Sequence, residues 1–234
     1  MQPETPLMVP GQTAPAPVAL AQNRVLRNTY MLLALSLVPT IFGAWLGIQL
    51  KFAFLATTHP AIAFMAFLAI AFGFFYGIEK TKNSAWGVAL LLGFTFFMGL
   101  MLSRLLGAVL GLSNGLNLIA LAFGGTAVVF TAMATLATSI KRDLAPMGKF
   151  LFVGVVMLLV AAFANIFLQI PGLMIAISVI AIGIFSAFML YDINRIVTGG
   201  ETNYVTATLA IYLDVYNVFA NLLALLGITG GSSD

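Results

Sequence analysis

Cysteine is absent from the 234 residues, and histidine occurs once, as His59. The first absence excludes disulfides, thiolate metal centres and cysteine nucleophiles. The second excludes a multi-histidine metal site. Charge is scarce as well: 7% of the residues are Asp, Glu, Lys or Arg, against roughly 25% in a soluble domain. Hydrophobic residues make up 62% of the chain. Such a composition cannot build an ordinary water-facing surface and defines an integral membrane protein. The 10 Lys and Arg residues, which leave a formal charge of +3, fall in short clusters between apolar runs. That distribution points to membrane topology and away from nucleic acid.

What is present is a series of long apolar runs. Residues 1–23, rich in Pro, Ala and Gln and without periodicity, read as a disordered tail. No basic segment leads them and the next apolar run is too long for a secretory signal, so the tail is expected to stay on the protein. A bilayer core needs about 20 apolar residues per helix. Runs of that length lie at 28–50, 60–78, 84–105, 116–139, 150–170, 172–196 and 204–228. The fold class expected is therefore an all-α bundle of seven transmembrane helices occupying 24–234. Pro39 is expected to kink the first helix, and "QIPG" to join the fifth and sixth as a tight hairpin with Pro171 opening the new helix. With the N-terminus in the cytoplasm, that side holds Arg24, Arg27, Lys80, Lys82, Lys141, Arg142, Lys149 and Arg195, and the other only Lys51 and Arg104. This bias follows the positive-inside rule and, with seven spans, places the C-terminus outside. Glycines four apart, at Gly43/Gly47, Gly73/Gly77 and Gly107/Gly111/Gly115, are compatible with close helix packing.

Most polar residues in these runs have an ordinary reading. Glu79, Lys80 and Lys82 lie at a helix end, and Arg104 can reach the headgroups along its own stem. His59 falls in an outer loop. Asn165 and Gln169 share a face and are expected to hydrogen-bond to a neighbouring helix.

Two aspartates differ. An ionised Asp at the centre of a membrane helix costs ~2.5–3.5 kcal/mol, and Asp214 lies ~15 Å into the last run at about 1.5 Å per residue. Asn217 and Asn221 follow it on the same face, with Asn203 and Thr206 near that line. A polar stripe must face the bundle interior or a wet cavity, so the seventh helix is expected to be central. Asp192 lies near the end of the sixth run, joined to the seventh by the short "RIVTGGETN". Antiparallel neighbours of this kind bring the two carboxyls together. In a low dielectric both cannot ionise cheaply, and the pair tends to share a proton. A proton-sensitive latch and a divalent-cation site are both open readings, as is a purely structural role with Asp214 satisfied by Asn and Tyr partners.

The stretches "NRVLRNTYMLL", "FGGTAVVFTAMA", "ANIFLQIPGLMIAIS" and "YDINRIVTGGETNYVTATLAIYLDVYNVFANLLALLG" resemble the Bax inhibitor-1 family, nearest its bacterial YccA-like branch. The resemblance implies a seven-helix bundle around its last helix, in the bacterial inner membrane. It also implies a calcium leak sensitive to pH and gated by a di-aspartyl pair, here Asp192 and Asp214. These two carboxylates are then the candidate calcium contacts, with Asn217, Asn221 and Arg195 in support, and calcium is cargo rather than a cofactor. Some family members carry a basic residue in the second helix to meet the sixth-helix aspartate. The run "PAIAFMAFLAIAFGFFYGI" has none, which leaves Arg195, Lys80 or Lys82 as the cation.

The alternative reading, also drawn from that branch, is a substrate and regulator of the membrane ATP-dependent protease FtsH, for which the N-terminal tail would be the handle. An intramembrane aspartyl protease is disfavoured: no Gly-x-Gly-Asp contains the second acid, and no proline follows it in "VYNVFANLLALLG". The chain is thus expected to have the bilayer and an FtsH-type protease as partners, and no enzymatic activity.

Overall fold

A computed structural model describes residues 16–52 and 60–230. Seven helices follow one another: α1 (Ala16–Gln49), α2 (Pro60–Thr81), α3 (Ala85–Leu110), α4 (Gly115–Ser139), α5 (Ala145–Leu168), α6 (Pro171–Val197) and α7 (Tyr204–Gly230). All seven are long and apolar enough to cross a membrane, and no strand occurs among the described residues. Each expected span is therefore matched by one helix.

The largest shift in a boundary is at the start. α1 begins at Ala16, so residues 16–23, read from composition as tail, continue the helix backwards. The sequence there, "APVALAQN", is mostly good helix formers, and Pro17 occupies the first turn, where a missing N–H leaves no bond unmade. Residues 1–15 of the expected tail, and His59, lie outside the described residues. At the other turn, α6 opens on Pro171 as the sequence suggested. Asn165 differs from expectation: its Oδ1 accepts the N–H of Ile170 at 3.0 Å and so closes the α5–α6 turn of its own hairpin. The preceding Gln169 is left-handed (φ 50°), which leaves that N–H pointing back at Asn165.

α7 is the centre of the bundle. It packs against α1, α2, α3, α4 and α6, and no residue from Tyr204 to Gly227 is exposed. α5 is the opposite case, touching only α2 and α6 and burying no residue, with Phe150, Val153, Met157 and Val160 turned outwards where lipid tails belong.

α1 and α3 form the closest seam. Gly43 faces the backbone carbonyl of Phe96 and Gly99 that of Thr40, so closely that a Cβ at either place would collide with main chain. In lipid such contact is gained through van der Waals packing, since apolar burial between helices adds little there. Gly73 and Gly107, from the same kind of four-residue pattern, have open space above them.

A buried aspartate pair as the candidate functional site

The α6–α7 end of the bundle is built by asparagines. Asn203 caps α7: its Oδ1 accepts the N–H of Val205 at 2.9 Å and of Thr206 at 3.2 Å, satisfying two of the donors a helix start leaves open. Its Nδ2 also donates to the Lys82 carbonyl at 3.2 Å and to Asn83 Oδ1 at 2.8 Å, fastening the α2–α3 turn. Asn194 does the same for the α4–α5 turn. It is fully buried, donating to the Ile140 carbonyl at 3.0 Å and accepting the Leu144 N–H at 3.2 Å. Between these clamps the chain turns at Gly199, whose φ of +83° favours glycine and which the Gln22 side chain of α1 abuts.

This frame holds the aspartates. α6 and α7 pack as antiparallel neighbours, and the Asp192 and Asp214 carboxyls come within hydrogen-bonding reach of each other. Asp214 is 4% exposed, and its Oδ2 is buried with no N–H or O–H donor against it. Asp192 is better served. Arg195, one turn along, places Nη1 3.9 Å from its Oδ1 and Nη2 3.8 Å from Glu201 Oε2, with the guanidinium over the Tyr191 ring. Running inwards the order is Glu201, Arg195, Asp192, Asp214: three acids to one base, the innermost acid without a cation among the described residues.

Of the cations the sequence left open, the structure thus selects Arg195. Lys82 pairs with Glu79, and Lys80 lies over the Tyr76 ring. The rest of the expected stripe does not converge on the acids. Asn217 Nδ2 donates to the Leu213 carbonyl and Asn221 Nδ2 to the Asn217 carbonyl, both at 2.8 Å and both along their own helix. The α7 tyrosines are turned to another seam. Tyr212 shares a 2.9 Å hydrogen bond with Thr40 and donates to the Thr95 carbonyl at 3.4 Å, while Tyr216 donates to that of Met98 at 3.2 Å. Among the described residues Asp214 therefore finds neither an asparagine nor a tyrosine donor.

Asn194 was missed from sequence, although an asparagine two residues past Asp192 in "YDINRI" was a usable signal. Glu201, in the α6–α7 connection, was missed as well. As metal ligands the acids offer oxygen only, which suits a hard cation. Among the described residues no three His, Cys, Asp or Glu side chains gather into a metal cluster. A calcium ion takes six to eight oxygens, so two carboxylates alone fall short of a complete cage.

Seven apolar helices wound about a last helix that carries one half of a buried carboxyl pair define a multi-pass membrane protein of the all-α class. The comparisons give its family. Residues 22–231 match the family described as "Inhibitor of apoptosis-promoting Bax1", and the chain belongs to this Bax inhibitor-1 family. It is 37% identical over 217 residues to an uncharacterized protein of Pseudomonas aeruginosa, covering 91% of this chain and 95% of the relative. It is 36% identical over 208 residues to one from Neisseria meningitidis, covering 88% and 92%. A further relative, from Escherichia coli, is named "Modulator of FtsH protease YccA"; there the identity is 36% over 208 residues, covering 89% and 91%. An E. coli relative of the same identity and coverage is named an inner membrane protein.

Proposed function

We propose that this protein is a cation leak pathway of the bacterial inner membrane, with calcium as its favoured cargo and the Asp192–Asp214 pair as its proton-sensitive gate. The observation that carries the reading is the innermost acid: a buried carboxyl on the central helix, facing a second carboxyl, with no cation of its own among the described residues. Two such groups in contact are held together by a shared proton and repel when it leaves. The opposing helices α6 and α7 are thereby biased between two arrangements, as a switch element must be. Ionised and separated, the same carboxylates offer a passing divalent cation the oxygen ligands it prefers. The positive-inside bias supports placing this gate at the cytoplasmic end.

The test is calcium flux into liposomes holding the full chain, measured across pH. Asp214→Asn keeps size and polarity but removes the titrating group, so its flux is expected to be independent of pH. A variant with the wild-type level and the wild-type pH profile refutes the gate.

A second reading is supported by the E. coli relative's name: the chain modulates an FtsH-type membrane protease. It uses the other end of the chain, the Pro- and Ala-rich segment before α1, as the point where a pulling protease takes hold. Deleting residues 2–15 leaves α1 whole and is expected to lengthen the protein's half-life in cells that contain the protease. An unchanged half-life removes the handle.

A further inference from the structure

Arg195 is the cation of the aspartate site, yet its two ion pairs place it only loosely. The contacts to Asp192 Oδ1 and Glu201 Oε2 are 3.9 and 3.8 Å long, and they engage different nitrogens of the fork. Both are beyond hydrogen-bond length. A long side chain on a helix leans back over the turn before it, so Arg195 falls across Tyr191 and Asp192 together. Its guanidinium carbon lies 5.7 Å from the centre of the Tyr191 ring, within the range at which a cation is drawn to an aromatic face.

The ring is itself held. Phe188 meets it edge-on, with 6.2 Å between centroids. Its hydroxyl end lies against Gly148, early in α5, so closely that a Cβ there would stand 2.6 Å from Tyr191 Oη and 2.7 Å from Cζ. Glycine weakens a helix relative to alanine, and here the close approach requires it. α5, which packs on α2 and α6, thus reaches the aspartate site through Gly148.

We propose that Tyr191 is a positioning residue for the gate: its ring, seated on Gly148 of α5, holds Arg195 beside Asp192. This role rests on the gate reading above; the contacts themselves do not. Without the ring the guanidinium is free to extend towards water, where its charge is best solvated, and Asp192 loses part of its counter-charge. The charged groups that act on Asp192 are Arg195, Glu201 and, from α7, Asp214. The other elements packed on α6 bring exposed charges: Arg24 and Arg27 on α1, Lys149 on α5, and Lys141, Arg142 and Asp143 in the α4–α5 turn. Of the tyrosines, Tyr30 packs on Phe130, and Tyr212 and Tyr216 turn to α1 and α3. Among the described residues, Arg195 is therefore the cation whose placement the pair feels.

Two measurements on the full chain test this. In detergent-solubilised protein isotope-labelled on its arginine nitrogens, the Nε–H signal of Arg195 is assigned by its loss in Arg195→Gln. Its exchange with water reports how tightly the guanidinium is held, while calcium flux into liposomes reports the gate. Tyr191→Leu keeps apolar bulk without the aromatic face. Its Arg195 Nε–H is expected to exchange about two- to fivefold faster, the factor that one partly exposed cation–ring contact supplies. Its flux midpoint is expected to move to higher pH, in the direction of Arg195→Gln and no further. Tyr191→Phe keeps the ring and is expected to restore both readouts. Gly148→Ala pushes the ring aside and is expected to act as Tyr191→Leu does. Added to Arg195→Gln, Tyr191→Leu is expected to move the midpoint no further, because the two act through one contact. Wild-type exchange in Tyr191→Leu overturns the positioning role, whatever the flux. Faster exchange with an unmoved midpoint overturns the link to the gate. That result leaves the gate reading standing where Arg195→Gln still moves the midpoint, and removes both where Asp214→Asn also keeps the wild-type profile.

Discussion

Replacing Asn194 by alanine removes both bonds that hold the α4–α5 turn against α6, the donation to Ile140 and the acceptance from Leu144. Each is worth about 1 kcal/mol net, and a partner left unpaired out of reach of water costs about 1–3 kcal/mol. Ile140 and Leu144 are half-buried, so water can reach them in part and the lower half of that range applies. The expected loss is roughly 2–3 kcal/mol. Asn194→Asp separates the two bonds, since its carboxylate still accepts from Leu144 but cannot donate to Ile140. It also puts a further acid on the helix that carries Asp192. Thermal unfolding of the reconstituted chain gives the stability, and hydrogen exchange at residues 140–145 gives the location. Asn194→Ala is expected to unfold earlier and to exchange faster in that segment, with the α1–α3 seam unchanged. Wild-type unfolding together with wild-type exchange at Leu144 would refute the clamp, and with it the claim that the frame around Asp192 is held by this side chain.

Arg195→Gln removes the one cation that the described residues place beside Asp192. The ion pair is long and partly exposed, so at most about 1 kcal/mol of stability should be lost. The pH at which calcium flux changes is nevertheless expected to move upwards, because carboxyls hold their proton more tightly once a neighbouring positive charge is gone; an unmoved midpoint removes Arg195 from the gate. Gly99→Ala drives a methyl group into the Thr40 carbonyl and should cost about 1–3 kcal/mol. Gly73→Ala meets open space and should not destabilise, so equal melting temperatures for the two variants would contradict the seam. Asn203→Ala removes the α7 cap and should lower stability by roughly 1–2 kcal/mol, read by thermal unfolding. Asn203→Asp, which keeps the cap but not the link to Lys82 and Asn83, should fall between the alanine variant and wild type.

The spans were legible because lipid leaves a chain little choice. Each crossing must be a helix with its polar backbone satisfied internally, and each must be apolar over the thickness of the bilayer. The central place of α7 followed from the same logic, since Asp214 cannot face lipid. The short connection after Asp192 was enough to expect the two acids side by side. The glycine pattern was a poorer guide. It ranked Gly73 with Gly43 and passed over Gly99, because whether a glycine matters depends on the backbone opposite it, and that backbone belongs to another helix.

Composition and order along this chain thus determine a seven-helix membrane protein with a polar, acid-bearing last helix, because the solvent itself dictates those features. Tertiary structure alone decided which groups answer that polarity. It gave Arg195 to Asp192 and left Asp214 with no cation among the described residues. It turned Asn217 and Asn221 back onto their own helix, and it set Asn194 to hold a turn more than fifty residues away in sequence. It also seated the Tyr191 ring on Gly148 and under Arg195. Hydrogen bonds and ion pairs act over about 3–4 Å, and nothing in the spacing of residues along separate helices specifies which side chains will be brought that close.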